Sequence, residues 1–112
     1  MTETEFLELA EATLAQIEAA LERVANDDDL DVECSRSGNV LEIELIDNGS
    51  KIIVNSQAAM QEMWLAAKSG GFHYRYEGGQ WRNTRDGSEL FAALSEAISL
   101  QAGQAVTLSS PG

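Results

Sequence analysis

Leu41-Glu42-Ile43-Glu44-Leu45-Ile46-Asp47-Asn48-Gly49-Ser50-Lys51-Ile52-Ile53-Val54-Asn55 is the stretch whose reading decides the fold. Leu41, Ile43 and Leu45 alternate with Glu42 and Glu44, the period-two pattern of a strand with one buried and one wet face. Asn48-Gly49 is the strongest two-residue hairpin signal in the chain. Lys51 to Asn55 reads as the returning strand. Upstream, Leu30, Val32 and Cys34 alternate with Asp31, Glu33 and Ser35, and Ser37-Gly38-Asn39 marks a turn. Downstream, Glu62 to Ala66 reads as a fourth strand in spite of its helix propensity. Gly70-Gly71 punctuates before Phe72, Tyr74 and Tyr76, which alternate with His73 and Arg75. Gly78-Gly79 predicts a further hairpin into a short strand around Trp81.

Helical periodicity flanks this run. Over residues 3–25, Phe6, Leu9, Ala10, Leu14, Ile17, Ala20, Leu21 and Val24 share one face at about 100° per residue. Thr2 and Glu5 have the spacing of a capping box. Asn26-Asp27-Asp28-Asp29 is expected to end the helix, because short polar side chains compete for its backbone. A second helix is predicted from about Gly87 to Ala102, capped by Asp86, with Leu90, Phe91, Leu94, Ala97 and Ile98 as its stripe and Gly103 as its stop. Two amphipathic helices need one surface to bury their stripes. The predicted fold is α+β: a two-layer α/β sandwich with the N- and C-terminal helices on one face of a five- to six-stranded antiparallel sheet. The other sheet face is left to solvent or partners. The 112 residues suit a single domain, with 103–112 as a C-terminal tail whose Val106 and Leu108 are placed to pack on the helices.

Charge is distributed unevenly. The net charge is −12, and residues 1–33 hold eleven of the nineteen acids but only one base, Arg23. Such a surface repels nucleic acid and anionic lipid and attracts cations or basic partner surfaces. No apolar run approaches the roughly 18–20 residues of a membrane helix. The single cysteine excludes an internal disulfide, and the acidic N-terminus is unlike a secretory or transit leader. A cytoplasmic protein is the expectation.

The acidic set is the first candidate site. Glu11, Glu18 and Glu22 project from the side of the helix opposite its stripe. Asp27, Asp28, Asp29, Asp31 and Glu33 continue the set into the loop and the wet side of the first strand. Like charges this close repel, and a bound cation relieves them. Carboxylate oxygens are hard ligands, suited to Mg²⁺, Ca²⁺, Mn²⁺ and iron ions. The Asp27, Asp29, Asp31 spacing imitates the start of a calcium loop, but Val32 and Gly38 stand where that loop needs Gly and Glu. No closed cage is available, so binding is expected to be weak. An inert, solubilising face reads equally well from charge alone. Cys34 falls on the apolar phase of its strand and is predicted to be a buried filler. One Cys and one His make no structural zinc site, and no catalytic constellation is present.

The second candidate is the outward phase of the sheet. Trp64 lies opposite in phase to Met63 and Leu65, and Ile53, Asn55, His73 and Arg75 share its parity. An exposed Trp among polar and basic groups has the make-up of an interface hot spot. Packing of Trp64 beneath the tail or a loop is the alternative.

From residue 5 to about 103 the chain resembles the frataxin family. The most specific stretches are Asn48-Gly49-Ser50-Lys51-Ile52-Ile53-Val54-Asn55 and Trp64-Leu65-Ala66-Ala67-Lys68-Ser69-Gly70-Gly71-Phe72-His73, with Gln57 at the family spacing after Asn55. The resemblance implies the same sandwich, weak binding of Fe²⁺ or Fe³⁺ on the acidic ridge, and a part in iron–sulfur cluster assembly. It implies two partners, a cysteine desulfurase and the iron–sulfur scaffold protein. The ridge docks on the first, and Asn55, Gln57, Trp64 and His73 belong to the sheet surface that meets the machinery. A role as desulfurase regulator, iron donor or both follows, as does a monomer, with iron-induced oligomers left open. The chain is not expected to be an enzyme: oxygen ligands favour Fe³⁺, so weak oxidation needs no evolved site, whereas a dedicated oxidase calls for a defined, His-containing site and this chain offers one His. A metal-independent acidic module docking on a basic partner is the alternative. Ala19, Arg23 and Ala25 stand where relatives often carry acids, which shifts the ridge toward Asp27–Glu33.

Overall fold

The computed structural model describes residues 1–109. Helix α1 (Glu3–Asp27) leads into six strands, β1 (Val32–Ser37), β2 (Val40–Leu45), β3 (Ser50–Gln57), β4 (Glu62–Ala67), β5 (Gly70–Glu77) and β6 (Gln80–Asn83), and then helix α2 (Leu90–Ala102). The strands form one antiparallel meander in the order β1-β2-β3-β4-β5-β6. One face packs under both helices, so the α+β two-layer sandwich is the observed fold. The last three residues of the tail, 110–112, lie outside the described residues.

Each element follows from local chemistry. Thr2 accepts from the Glu5 amide at 3.1 Å while Glu5 accepts from the Thr2 amide at 2.9 Å, closing the predicted capping box. The α1 stripe is buried as expected, with Thr13 added and Leu9 only partly covered. Thr13 fits because its hydroxyl bonds the Leu9 carbonyl and accepts from the Trp81 indole at 3.0 Å. The helix runs two residues past its predicted end. Asp28 caps it and Asp29 takes the left-handed conformation, φ 55°.

The hairpins differ from one another for physical reasons. Gly38-Asn39, Lys68-Ser69 and Gly78-Gly79 make two-residue turns, the first and last supported by positive φ at Gly38, Gly78 and Gly79. Asn48-Gly49 does not. Leu45 pairs with Ser50, so the loop has four residues, and Gly49 closes it by donating to the Leu45 carbonyl at 2.8 Å. Asn48 is used as an anchor instead: its side chain accepts from Ser50 N at 2.9 Å and donates to the Gln101 carbonyl at 2.7 Å, pinning the hairpin to the end of α2.

Helix α2 starts three residues later than predicted, and Glu89 is its cap rather than Asp86. The Glu89 carboxylate accepts from Phe91 N at 2.7 Å and Ala92 N at 3.1 Å. Asp86 is occupied in the preceding turn, where it accepts from the amide and hydroxyl of Ser88 and is held below the usual carboxylate range by them. Gly103, at φ 73°, is the predicted stop. The tail then folds back. Ser95 and Ser99 hydroxyls accept from the amides of Leu108 and Val106, both at 2.8 Å, and both apolar side chains are buried.

Candidate functional site

The acidic set is spread along one edge of the molecule. β1 is the edge strand and lies beside α1. Val32, Cys34 and Arg36 share the phase that faces the helix, so Glu33 alternates to the open sheet face, directly opposite Glu44 of β2. Asp27, Asp28, Asp29, Asp31 and Glu33 are all exposed. Glu22 is exposed and Glu18 half-buried, and these two line a cleft of about 300 Å³ with Leu21, Val32 and Cys34. Arg36 crosses this edge and pairs with two of the helix carboxylates, Glu11 at 2.6 Å and Glu18 at 3.0 Å. Sequence reading assigned no role to Arg36, because its partners lie 25 and 18 positions upstream. The unbalanced charge is thereby concentrated at the junction of α1 and β1. Among the described residues no group of three or more His, Cys, Asp or Glu side chains is arranged to hold a metal ion.

Cys34 corrects an expectation: it is exposed. Its phase is inward, as read, but at an edge strand inward means a cleft open to water. The thiol is pushed above its ordinary pKa, first by partial burial and then by the Glu18 and Glu22 carboxylates. A thiol held protonated is a poor nucleophile at neutral pH.

The open sheet face carries a more ordered arrangement. Trp64 pairs across the ladder with Asn55 of β3 on one side and His73 of β5 on the other. Gln57 pairs with Glu62 in the next register position. Two cross-strand rows result, Asn55-Trp64-His73 and Gln57-Glu62 with Arg75 beyond. The Trp64 and His73 rings stack with centroids 4.3 Å apart and planes 6° from parallel. Trp64 Nε1 donates to Glu62 Oε1 at 2.9 Å, and Arg75 Nε donates to Glu62 Oε2 at 2.9 Å. His73 Nδ1 lies 3.5 Å from Glu62 Oε1. All four predicted sheet residues therefore gather in one patch, and Trp64 is half-buried in it rather than covered by the tail. Glu62 was missed as a member of this patch. A single Glu at the start of a strand carries no signal, and its role appears only when β5 brings Arg75 and His73 alongside.

Charge on this face is polarised. Glu33, Glu42 and Glu44 lie toward β1 and β2, where Lys51 pairs with Glu42 at 3.1 Å. Arg75 and Arg82 face each other across β5 and β6. Like charges directly opposite repel. Glu62 offsets Arg75, and Arg82 donates to the Gly87 carbonyl and the Gln80 side chain.

Comparison with known proteins agrees with this architecture. A family model described as a frataxin-like domain matches residues 1–104, and the chain belongs to the frataxin family. A protein of Herminiimonas arsenicoxydans named iron-sulfur cluster assembly protein CyaY is 70 % identical over 112 residues, covering all of both chains. A protein of the same name from Janthinobacterium sp. strain Marseille is 73 % identical over 108 residues, 96 % of each chain. Among solved structures, the frataxin of Psychromonas ingrahamii superposes with a TM-score of 0.81 at 32 % identity, over 98 % of this chain and all of that one. A trimeric frataxin from Saccharomyces cerevisiae, complexed with ferrous iron, shares the fold at a TM-score of 0.71 and 24 % identity, over 85 % of this chain and 86 % of that one. No helix among the described residues is long and apolar enough to cross a membrane.

Proposed function

We propose that this protein is a cytoplasmic accessory factor in iron–sulfur cluster assembly, with iron as its cargo rather than a resident cofactor. The observation that carries the reading is 70 % identity along the whole chain to a relative named for that process. Fe²⁺ or Fe³⁺ binds weakly on the acidic edge, through Glu22, Asp27, Asp28, Asp29, Asp31 and Glu33. Glu11 and Glu18 join only when Arg36 is displaced, since its guanidinium already occupies them. The donor set fits a hard cation, and its openness fits weak binding. The same edge docks on a basic surface of the cysteine desulfurase, while Asn55, Gln57, Trp64 and His73 meet the scaffold protein. The role is regulatory, iron-donating or both, without a dedicated enzymatic site.

Titration with Fe²⁺ under anaerobic conditions, followed by backbone amide resonances, tests the metal part. Broadening centred on Glu22–Glu33 is the expected result, and changes scattered evenly over the surface would sink it. Pull-down with the desulfurase and scaffold, with and without iron, tests the partners.

The Arg36 pairs favour a second reading, in which the acidic edge is a docking surface and metal binding is incidental. Charge reversal at Asp27, Asp29 and Asp31 then abolishes desulfurase binding in the absence of iron. Binding that survives the reversal removes this reading.

A further inference from the structure

Glu62 is the residue whose placement stability alone does not explain. It lies on the open face of the sheet, in phase with Trp64, yet it is only 3 % exposed. Burying a carboxylate is costly before pairing, and replacing a buried ion pair with apolar groups of like size is often neutral or stabilising. The carboxylate is kept out of water by the groups it binds. One oxygen accepts from the Trp64 indole, the other from Arg75, both at 2.9 Å, and His73 Nδ1 stands 3.5 Å from the first. Trp64 and His73 in turn stack at 4.3 Å. Four side chains from two strands thus form one square, with Glu62 and Trp64 on β4 facing Arg75 and His73 on β5.

We propose that Glu62 is the positioning residue of the docking face. Its carboxylate sets the rotation of the Trp64 indole, and through it the His73 stack, before a partner arrives. The inference rests on the reading that this face meets the scaffold protein. The physical gain is preorganisation: a side chain already immobilised loses less freedom on binding, worth roughly a threefold to tenfold change in affinity for each large side chain. Exposed aromatic groups at interfaces act most strongly when they are rigid.

The test uses the full chain in native, E62A, E62Q and W64A forms. The two indole N–H resonances belong to Trp64 and Trp81. Trp81, bonded to Thr13 in the core, reports whether the fold is kept. In E62A the Trp64 resonance moves to the position of a free indole, the Trp81 resonance stays, and affinity for the purified scaffold protein falls roughly tenfold. E62Q keeps one carbonyl oxygen, so it retains the Trp64 resonance and loses roughly threefold. Should E62A also move Trp81, E62Q decides. An unmoved Trp64 resonance with native affinity in both Glu62 variants overturns the proposal and leaves the docking reading standing if W64A binds weakly. Native affinity in W64A overturns the docking reading, and the positioning role falls with it.

Discussion

At the α1–β1 edge, six exposed carboxylates from Glu22 to Glu33 stand among few bases and do not converge. At the β4–β5 face, one carboxylate is buried and bonded on both oxygens. The first region is made by composition and the second by register. A charge-rich edge stays adaptable because water solvates each group separately, which suits a labile cation or a steered encounter. A satisfied buried group fixes its neighbours, which suits recognition of a particular surface. Of the two regions, the one with less charge carries the more defined geometry.

Glu62→Ala is the variant expected to separate the regions most sharply. It removes the shared acceptor of Trp64 and Arg75 and should lower stability by about 2 kcal/mol, whereas Glu22→Ala on the exposed edge should stay within about 0.5 kcal/mol. Urea unfolding checks both, and equal effects would erase the distinction. Arg36→Ala comes next. It frees Glu11 and Glu18, so it should lower stability by about 1 kcal/mol at low salt while raising Fe²⁺ affinity in anaerobic calorimetry. Loss of stability without any gain in affinity would remove the helix carboxylates from the proposed metal site.

Asp29→Gly acts in the opposite direction. It relieves the left-handed backbone and removes one charge from the acidic junction, so the melting temperature should rise, by about 0.5–1 kcal/mol in stability. The smallest effect is chemical. Cys34 is held above its ordinary pKa, so its thiolate fraction at pH 8 is below that of a free cysteine and alkylation is slower. The rate should climb as pH rises toward the elevated pKa. The double variant E18Q/E22Q should speed alkylation at fixed pH by removing two of the causes, and an unchanged rate would leave burial as the sole origin of the shift.

Legibility in the sequence followed the range of the interaction. Capping by Thr2 and Glu5 was readable because both partners lie within one helical turn, and strand phase was readable because alternation is local. The cap of α2 was misread because Asp86 had a nearer use in its own turn with Ser88. Cys34 was misread because phase gives direction but not cover, and at a sheet edge the cover is incomplete. The Asn48-Gly49 loop was longer than two residues because Asn48 is committed to Gln101, 53 positions away.

The sequence by itself determined the two-helix, antiparallel-sheet sandwich, the acidic first third and the outward face of Trp64, since periodicity and charge are properties of neighbouring residues. Only the tertiary structure decided that Arg36 pairs with two of that helix's seven acids, Glu11 and Glu18, and that Glu62 holds Trp64 and Arg75 on the opposite side of the sheet. Both depend on which strands lie side by side, and strand adjacency joins residues whose spacing along the chain carries no pattern.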